Sequence, residues 1–263
     1  MSDTSQALPE ASKVPEVRQM EMGDIGYALR AGWQDFRRKP MMGLFFAHIY
    51  VIGGWLLYIL FFVTEQIWLS LPITVGFPLI APFLAVGLYE VSHRLEQGDT
   101  DFRRNDIFGV VWRQRLRQLP LMSWVIIVYF LFWSFFAHML FALFMGPSVL
   151  MNVSSSYAYL LQPEGLLMLL VGTAFGAAFA FVLFCLTAIS LPLLLDKELD
   201  FVTAMLTSIA VVKRNPGVMI AWGVTISVLT FAAMIPALLG LFIALPVLGH
   251  ASWHIYRRAL EHG

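Results

Sequence analysis

The segment Ala28–Val63 reads ALRAGWQDFRRKPMMGLFFAHIYVIGGWLLYILFFV and contains the pattern that decides the fold. Its first third is amphipathic and ends in the basic run Arg37-Arg38-Lys39. Pro40 closes that part, and 23 almost wholly apolar residues, Met41–Val63, follow. A run of about 20 apolar residues is long enough to cross the hydrocarbon core of a bilayer as a helix. The continuous hydrophobicity lacks the two-residue alternation of a barrel strand, so the spanning structure is helical.

Five further stretches of this kind are found along the chain, giving spans near 41–63, 70–92, 121–144, 166–194, 217–236 and 237–256. The fourth exceeds a minimal span, so tilt or projection beyond the membrane is expected. The last two share one apolar tract with Pro236 at their turn. Composition agrees: of 263 residues 59% are hydrophobic and only 13% charged, about half the charge of a soluble domain. This excludes a soluble globular protein, a disordered chain and a disulfide scaffold. The single cysteine, Cys185, lies within an apolar run and says nothing about redox compartment. A net charge of zero argues against nucleic acid as a partner. Residues 1–22 are rich in Ser, Thr, Glu and Pro and show no cleavable signal; they are expected to form a disordered tail ahead of one transmembrane domain, 23–263.

Charge placement sets the orientation. Six basic residues fall in the N-terminal arm, six in the second connection, three in the fourth and two at the C-terminus, which together make all 17. Glu65 and Glu164 are the only acids assigned to the opposite connections. The positive-inside rule then places both termini in the cytoplasm, so that three helical hairpins open inward toward an anionic inner leaflet.

The hairpins read as one unit used three times. Pro40, Pro120 and Pro216 each stand between an amphipathic segment and an odd-numbered span, and Pro82, Pro192 and Pro246 each lie in an even-numbered one. The segment Ala28–Pro40 aligns with Ala204–Pro216, and Pro82–Arg94 with Pro246–Arg258. Proline after a basic run is common at membrane boundaries, but the even helices agree independently. The amphipathic segments carry Ile25, Leu29, Trp33 and Phe36, then Ile107, Val111 and Trp112, then Val202, Leu206 and Ile209 at helical spacing. Such helices lie flat among lipid headgroups. The fold expected is therefore all-α: six transmembrane helices as three parallel hairpin repeats, with cytoplasmic amphipathic helices.

Three blocks, PFLAVGLYEVSHRLEQG (Pro82–Gly98), ISLPLLLDKELDFVTAMLTSIAVVKRNPGVMIAWG (Ile189–Gly223) and LPVLGHASWHIYRRAL (Leu245–Leu260), carry a resemblance to an uncharacterised bacterial family of six-helix integral membrane proteins known only as a domain of unknown function. The resemblance covers nearly everything after residue 25. It implies the inner membrane of a Gram-negative bacterium and implies no activity.

Ionisable groups at membrane depth are functional candidates. His250 and His254, four residues apart, share a face of the sixth span; His48 and His138 add imidazoles on the first and third. Histidines on facing helices can hold haem iron or a metal; zinc or an anion near the inner surface fits better than a mid-membrane haem, since His250 lies only about 6 Å deeper than His254 at 1.5 Å per residue. In the repeat alignment Glu90 falls opposite His254, and Asp196 opposite His250. Carboxylate–imidazole pairing would therefore satisfy these groups without any ligand, and a proton or solute path is a third use. Gly172, Gly176 and Ala180 form a small-residue stripe suited to close helix packing. Asn152-Val153-Ser154 fits a glycosylation pattern that a bacterial membrane protein would not use. Phosphate loops, zinc-finger spacings and nucleophile elbows are missing from the sequence. The reading that results is a non-enzymatic accessory, assembly or lipid-contacting membrane protein, with no cofactor expected and a larger membrane complex as a possible partner. Its alternatives are a small-solute or lipid transporter and a haem- or metal-binding redox accessory protein.

Overall fold

A computed structural model describes residues 13–63, 67–145 and 162–261. Residues 1–12 of the expected tail, Glu65 and the Asn152 and Ser154–Ser156 loop lie outside the described residues. Among those described, ten helices run in order: α1 Met22–Arg38, α2 Pro40–Phe62, α3 Ile67–Glu96, α4 Arg104–Gln114, α5 Leu119–Met145, α6 Pro163–Thr187, α7 Ser190–Asp196, α8 Phe201–Arg214, α9 Pro216–Met234 and α10 Leu241–Ala259. The only extended pairing among them is an isolated bridge between Val17 and Leu260.

Four segments are helical, long and apolar enough to cross a membrane: Pro40–Leu60, Leu119–Phe144, Pro163–Asp196 and Pro216–Met234. The other two expected spans fall on α3 and α10. Each of these ends in a polar half, with Glu90, His93, Arg94 and Glu96 on α3 and His250, His254, Arg257 and Arg258 on α10. The long fourth stretch is not one straight helix. It breaks at Ala188–Ile189 between α6 and α7, four and three residues before Pro192. A proline ring clashes with the carbonyl four residues back, which is Ala188 here. The Ser208 hydroxyl accepts from the Ile189 amide at 3.2 Å across the break.

Two of the amphipathic-to-span joints have the same geometry. Lys39 ends α1 at φ −134°, ψ 58°, and Asn215 ends α8 at φ −127°, ψ 51°. Each donates its backbone N–H to the residue four back, Asp35 or Val211, and each is followed by proline at the first helical position. Proline needs no amide partner there, and its fixed φ starts the next helix at a new angle. The α9–α10 turn is longer than the single proline boundary expected at Pro236. It occupies residues 235–240, with Ala237 and Leu238 both in the left-handed region at φ 49° and 67°. Such conformations persist in non-glycine residues only when the surroundings hold them, and the Trp55 indole donates to the Ala237 carbonyl at 2.9 Å.

The packed core lies toward one end of the molecule. Ile189, Leu193, Ala204, Val211, Met219, Trp253, Tyr256 and Leu260 are fully buried there. Toward the other end, Phe135, Leu143, Phe231 and Ile235 are 70–83% exposed, a surface suited to lipid and not to water.

α1 presents an unexpected face to the protein. Asp24, Ala28, Gly32 and Asp35 are buried with Phe36, whereas Trp33 is exposed. Small and acidic residues therefore pack against α10, and a Cβ on Gly32 would stand 2.6 Å from the backbone atoms Ala251 N and Val247 O. The stripe expected to pack closely on α6 behaves otherwise. A Cβ on Gly172 meets nothing within 4 Å, and one on Gly176 meets only the Trp133 ring at 3.3 Å. Both glycines line an apolar groove of about 600 Å³ between α5, α6 and α9.

Candidate functional site

The polar ends of α1, α3, α7 and α10 meet in one layer. His254 on α10 faces Asp35 on α1, with Nε2 2.8 Å from Oδ2. One turn deeper, His250 Nδ1 lies 2.9 Å from Ser92 Oγ on α3; both side chains are fully buried. The His250 Nε2 atom has no hydrogen-bond partner among the described residues. The Trp253 indole donates to Glu96 Oε2 at 3.0 Å, and Arg257 Nε donates to the other Glu96 oxygen at 3.0 Å. The Tyr256 hydroxyl donates to Asp196 Oδ2 at 2.6 Å. Arg94 donates to Glu90 at 2.6 Å and to Asp99 at 3.2 Å, and His93 stacks on Trp253 with ring centroids 5.0 Å apart.

The N-terminal arm closes the layer. Arg18 N donates to Ala259 O and Glu261 N to Glu16 O, both at 2.9 Å. The Asn215 side chain accepts from Met20 N at 2.8 Å and donates to Arg18 O at 2.9 Å. Arg258 pairs with Asp24 at 2.7 Å. The stretch from Glu16 to Met20, inside the segment expected to be a tail, is thus tied to both the C-terminus and the α8–α9 joint. Arg117 and Glu198 form an ion pair between the second and fourth connections.

This geometry separates the sequence candidates. His250 and His254 share a face of α10 but serve different partners. His48 is exposed on α2, its ring 6.5 Å from that of Phe45. Glu90 is engaged by Arg94, with His93 3.6 Å away, and Asp196 by Tyr256, with His93 3.8 Å away. Among the described residues, no group of three His, Cys, Asp or Glu side chains could hold a metal ion. Carboxylate–imidazole pairing does occur, but the partner is Asp35. It stands two residues before a basic run, which makes it read as surface; the signal for its burial is the helical spacing Asp24, Ala28, Gly32, Asp35.

The comparisons with known proteins fit a membrane protein. Residues 70–196 match the family described as "Predicted integral membrane protein (DUF2189)". The match takes in α3 to α7, including Glu90, Ser92, Glu96 and Asp196, and stops short of α1 and α10, which complete the polar layer. No curated protein and no solved structure matches the chain.

Proposed function

We propose that this chain is a non-enzymatic accessory or assembly protein of a bacterial inner membrane, working through lipid and protein contacts. In this reading it crosses the bilayer six times as three hairpin units with both termini cytoplasmic. The observation that carries it is the polar layer, in which buried carboxylates, imidazoles and hydroxyls are consumed largely by one another. Such pairing suits a rigid scaffold, since these groups find their partners within the protein, the His250 Nε2 atom excepted. An even number of crossings is supported by the Val17–Leu260 bridge and the Arg258–Asp24 pair, which hold the two ends of the chain on the same side. The matched joints at Lys39 and Asn215 support the repeat. Close contact of α3 and α10, the second and sixth spans, weighs against a central solute path: a Cβ on Gly249 would lie 2.6 Å from Leu88 Cδ1.

The test is a native pull-down of the full chain in mild detergent, with mass spectrometry of bound proteins, metals and lipids. Co-purification with a larger membrane complex is expected, without a Soret band and without stoichiometric metal. A lone monodisperse monomer contradicts the accessory role. A Soret band lost in His250→Ala or His254→Ala replaces it with the redox reading.

A further inference from the structure

Arg18, Tyr27, Glu96, His254, Arg257, Arg258 and Leu260 line a hollow of about 290 Å³ between α1, the end of α10 and the N-terminal arm. Three arginines converge on it from two segments far apart in sequence. Arg18 starts from a backbone pinned on both sides, its N–H on Ala259 and its carbonyl on Asn215, and its guanidinium makes no ion pair among the described residues. Arg257 commits Nε to Glu96, leaving its terminal nitrogens without an acceptor among those residues. Arg258 turns Nε and one terminal nitrogen to a single Asp24 oxygen and lies over the Tyr27 ring, 5.1 Å from its centroid. Each guanidinium has five N–H donors in a rigid fork. The carboxylates of Glu96 and Asp24 therefore orient Arg257 and Arg258 without using all their donors, and His254, held by Asp35, completes the rim.

We propose that this hollow binds a phosphate oxyanion. Forked guanidinium donors match the tetrahedral oxygens of a phosphate group, and charge-assisted hydrogen bonds of this kind are the strong ones. Carboxylates close to the arginines oppose a bare multivalent anion, so a singly charged phosphate ester suits the site. Two sources supply that chemistry: the headgroup of an anionic phospholipid in the adjoining leaflet, or a soluble phosphate ester. The lipid source rests on the membrane reading above, because basic pockets at the cytoplasmic ends of helices bind anionic headgroups; the soluble source does not.

The full chain is purified in detergent and titrated with phosphatidylglycerol, with phosphatidylcholine as the zwitterionic control, while bound lipid is counted by native mass spectrometry. A parallel titration uses sn-glycero-3-phosphoglycerol, the singly charged phosphodiester of the same headgroup, without lipid. Preference for phosphatidylglycerol that weakens about tenfold in Arg18→Gln, and again in Arg257→Gln, supports the proposal with lipid as ligand. Binding of glycerophosphoglycerol with the same dependence on both arginines supports it with a soluble ligand. Arg113→Gln on α4, outside the hollow, controls for loss of charge alone and should change binding less than twofold. Arg18→Gln keeps both backbone bonds, so its melting temperature should equal that of the parent and a binding loss cannot be assigned to misfolding. The proposal is overturned if neither probe binds, or if Arg18→Gln binds as the parent does. Failure of the pull-down leaves this result untouched, because it is read on the isolated chain.

Discussion

Replacing Gly32 with alanine tests the packing of α1 on α10. The new methyl would sit 2.6 Å from Ala251 N and Val247 O, where ordinary contact begins at 3.4 Å. Both obstacles are backbone atoms of a helix and cannot rotate aside, so α1 must move outward by about 0.8 Å, the difference between those distances. The Asp35–His254 contact of 2.8 Å would stretch to about 3.6 Å if the shift ran along it, beyond hydrogen-bonding range. Overpacking costs about 1–3 kcal/mol, and loosening a charge-assisted bond adds about 1.5–3 kcal/mol. The better helix propensity of alanine returns about 1 kcal/mol. The net loss is about 1.5–5 kcal/mol, read as a fall in melting temperature on the order of 3–20 °C for the detergent-purified chain. Gly26→Ala is the control: a Cβ there meets nothing within 4 Å, so only the propensity gain remains. A Gly32→Ala variant that melts at or above Gly26→Ala would show that α1 is not held against the α10 backbone.

Three other outcomes follow from the same geometry. A double-mutant cycle of Asp35→Ala and His254→Ala should give a coupling of about 1–3 kcal/mol in thermal or denaturant unfolding; additive effects would show that the pair does not interact. His250→Leu alone should destabilise by leaving the Ser92 hydroxyl buried without its imidazole, and adding Ser92→Ala should recover part of the loss in the same assay. Asp200 caps α8 by accepting from Thr203 N at 2.9 Å, so Asp200→Ala should cost about 1 kcal/mol. The Thr203 side chain and amide hold the Asp200 carboxyl below its usual value. Its contribution is then complete above the ordinary aspartate pKa and lost as pH falls through the lowered one; a parent-to-variant gap that widens on acidification would contradict this.

Much of the architecture was legible because bilayer thickness imposes length and because prolines mark ends. The basic runs before Pro40 and Pro216 give the joints directly, and the backbone angles at Lys39 and Asn215 agree closely. What could not be read was how the polar ends interlock. Sequence spacing places His250 and His254 on one face, but partner choice depends on which helix packs there, and that is set by Gly32 and Ala28 allowing α1 close to α10. The same dependence puts a close backbone approach at Gly32 on an amphipathic helix, while Gly172 in the stripe on α6 looks onto open space. The N-terminal arm was hidden because Glu16–Met20 has no periodicity of its own; its order comes from Asn215 and the C-terminus, some 200 residues away in the chain. The break at Ala188–Ile189 is legible in hindsight from Pro192.

Single-cysteine labelling in intact cells reports whether all the basic connections lie on one side of a six-span bundle. In a Cys185→Ser background, cysteines are placed at Gln97, Leu239 and Glu261 and exposed to a membrane-impermeant maleimide before and after permeabilisation. Leu239→Cys should be labelled in intact cells, with Gln97→Cys and Glu261→Cys reacting only after the membrane is opened. Labelling of Glu261→Cys from outside, or protection of Leu239→Cys, would put that end of α10 on the wrong side of the membrane and overturn the assigned sidedness.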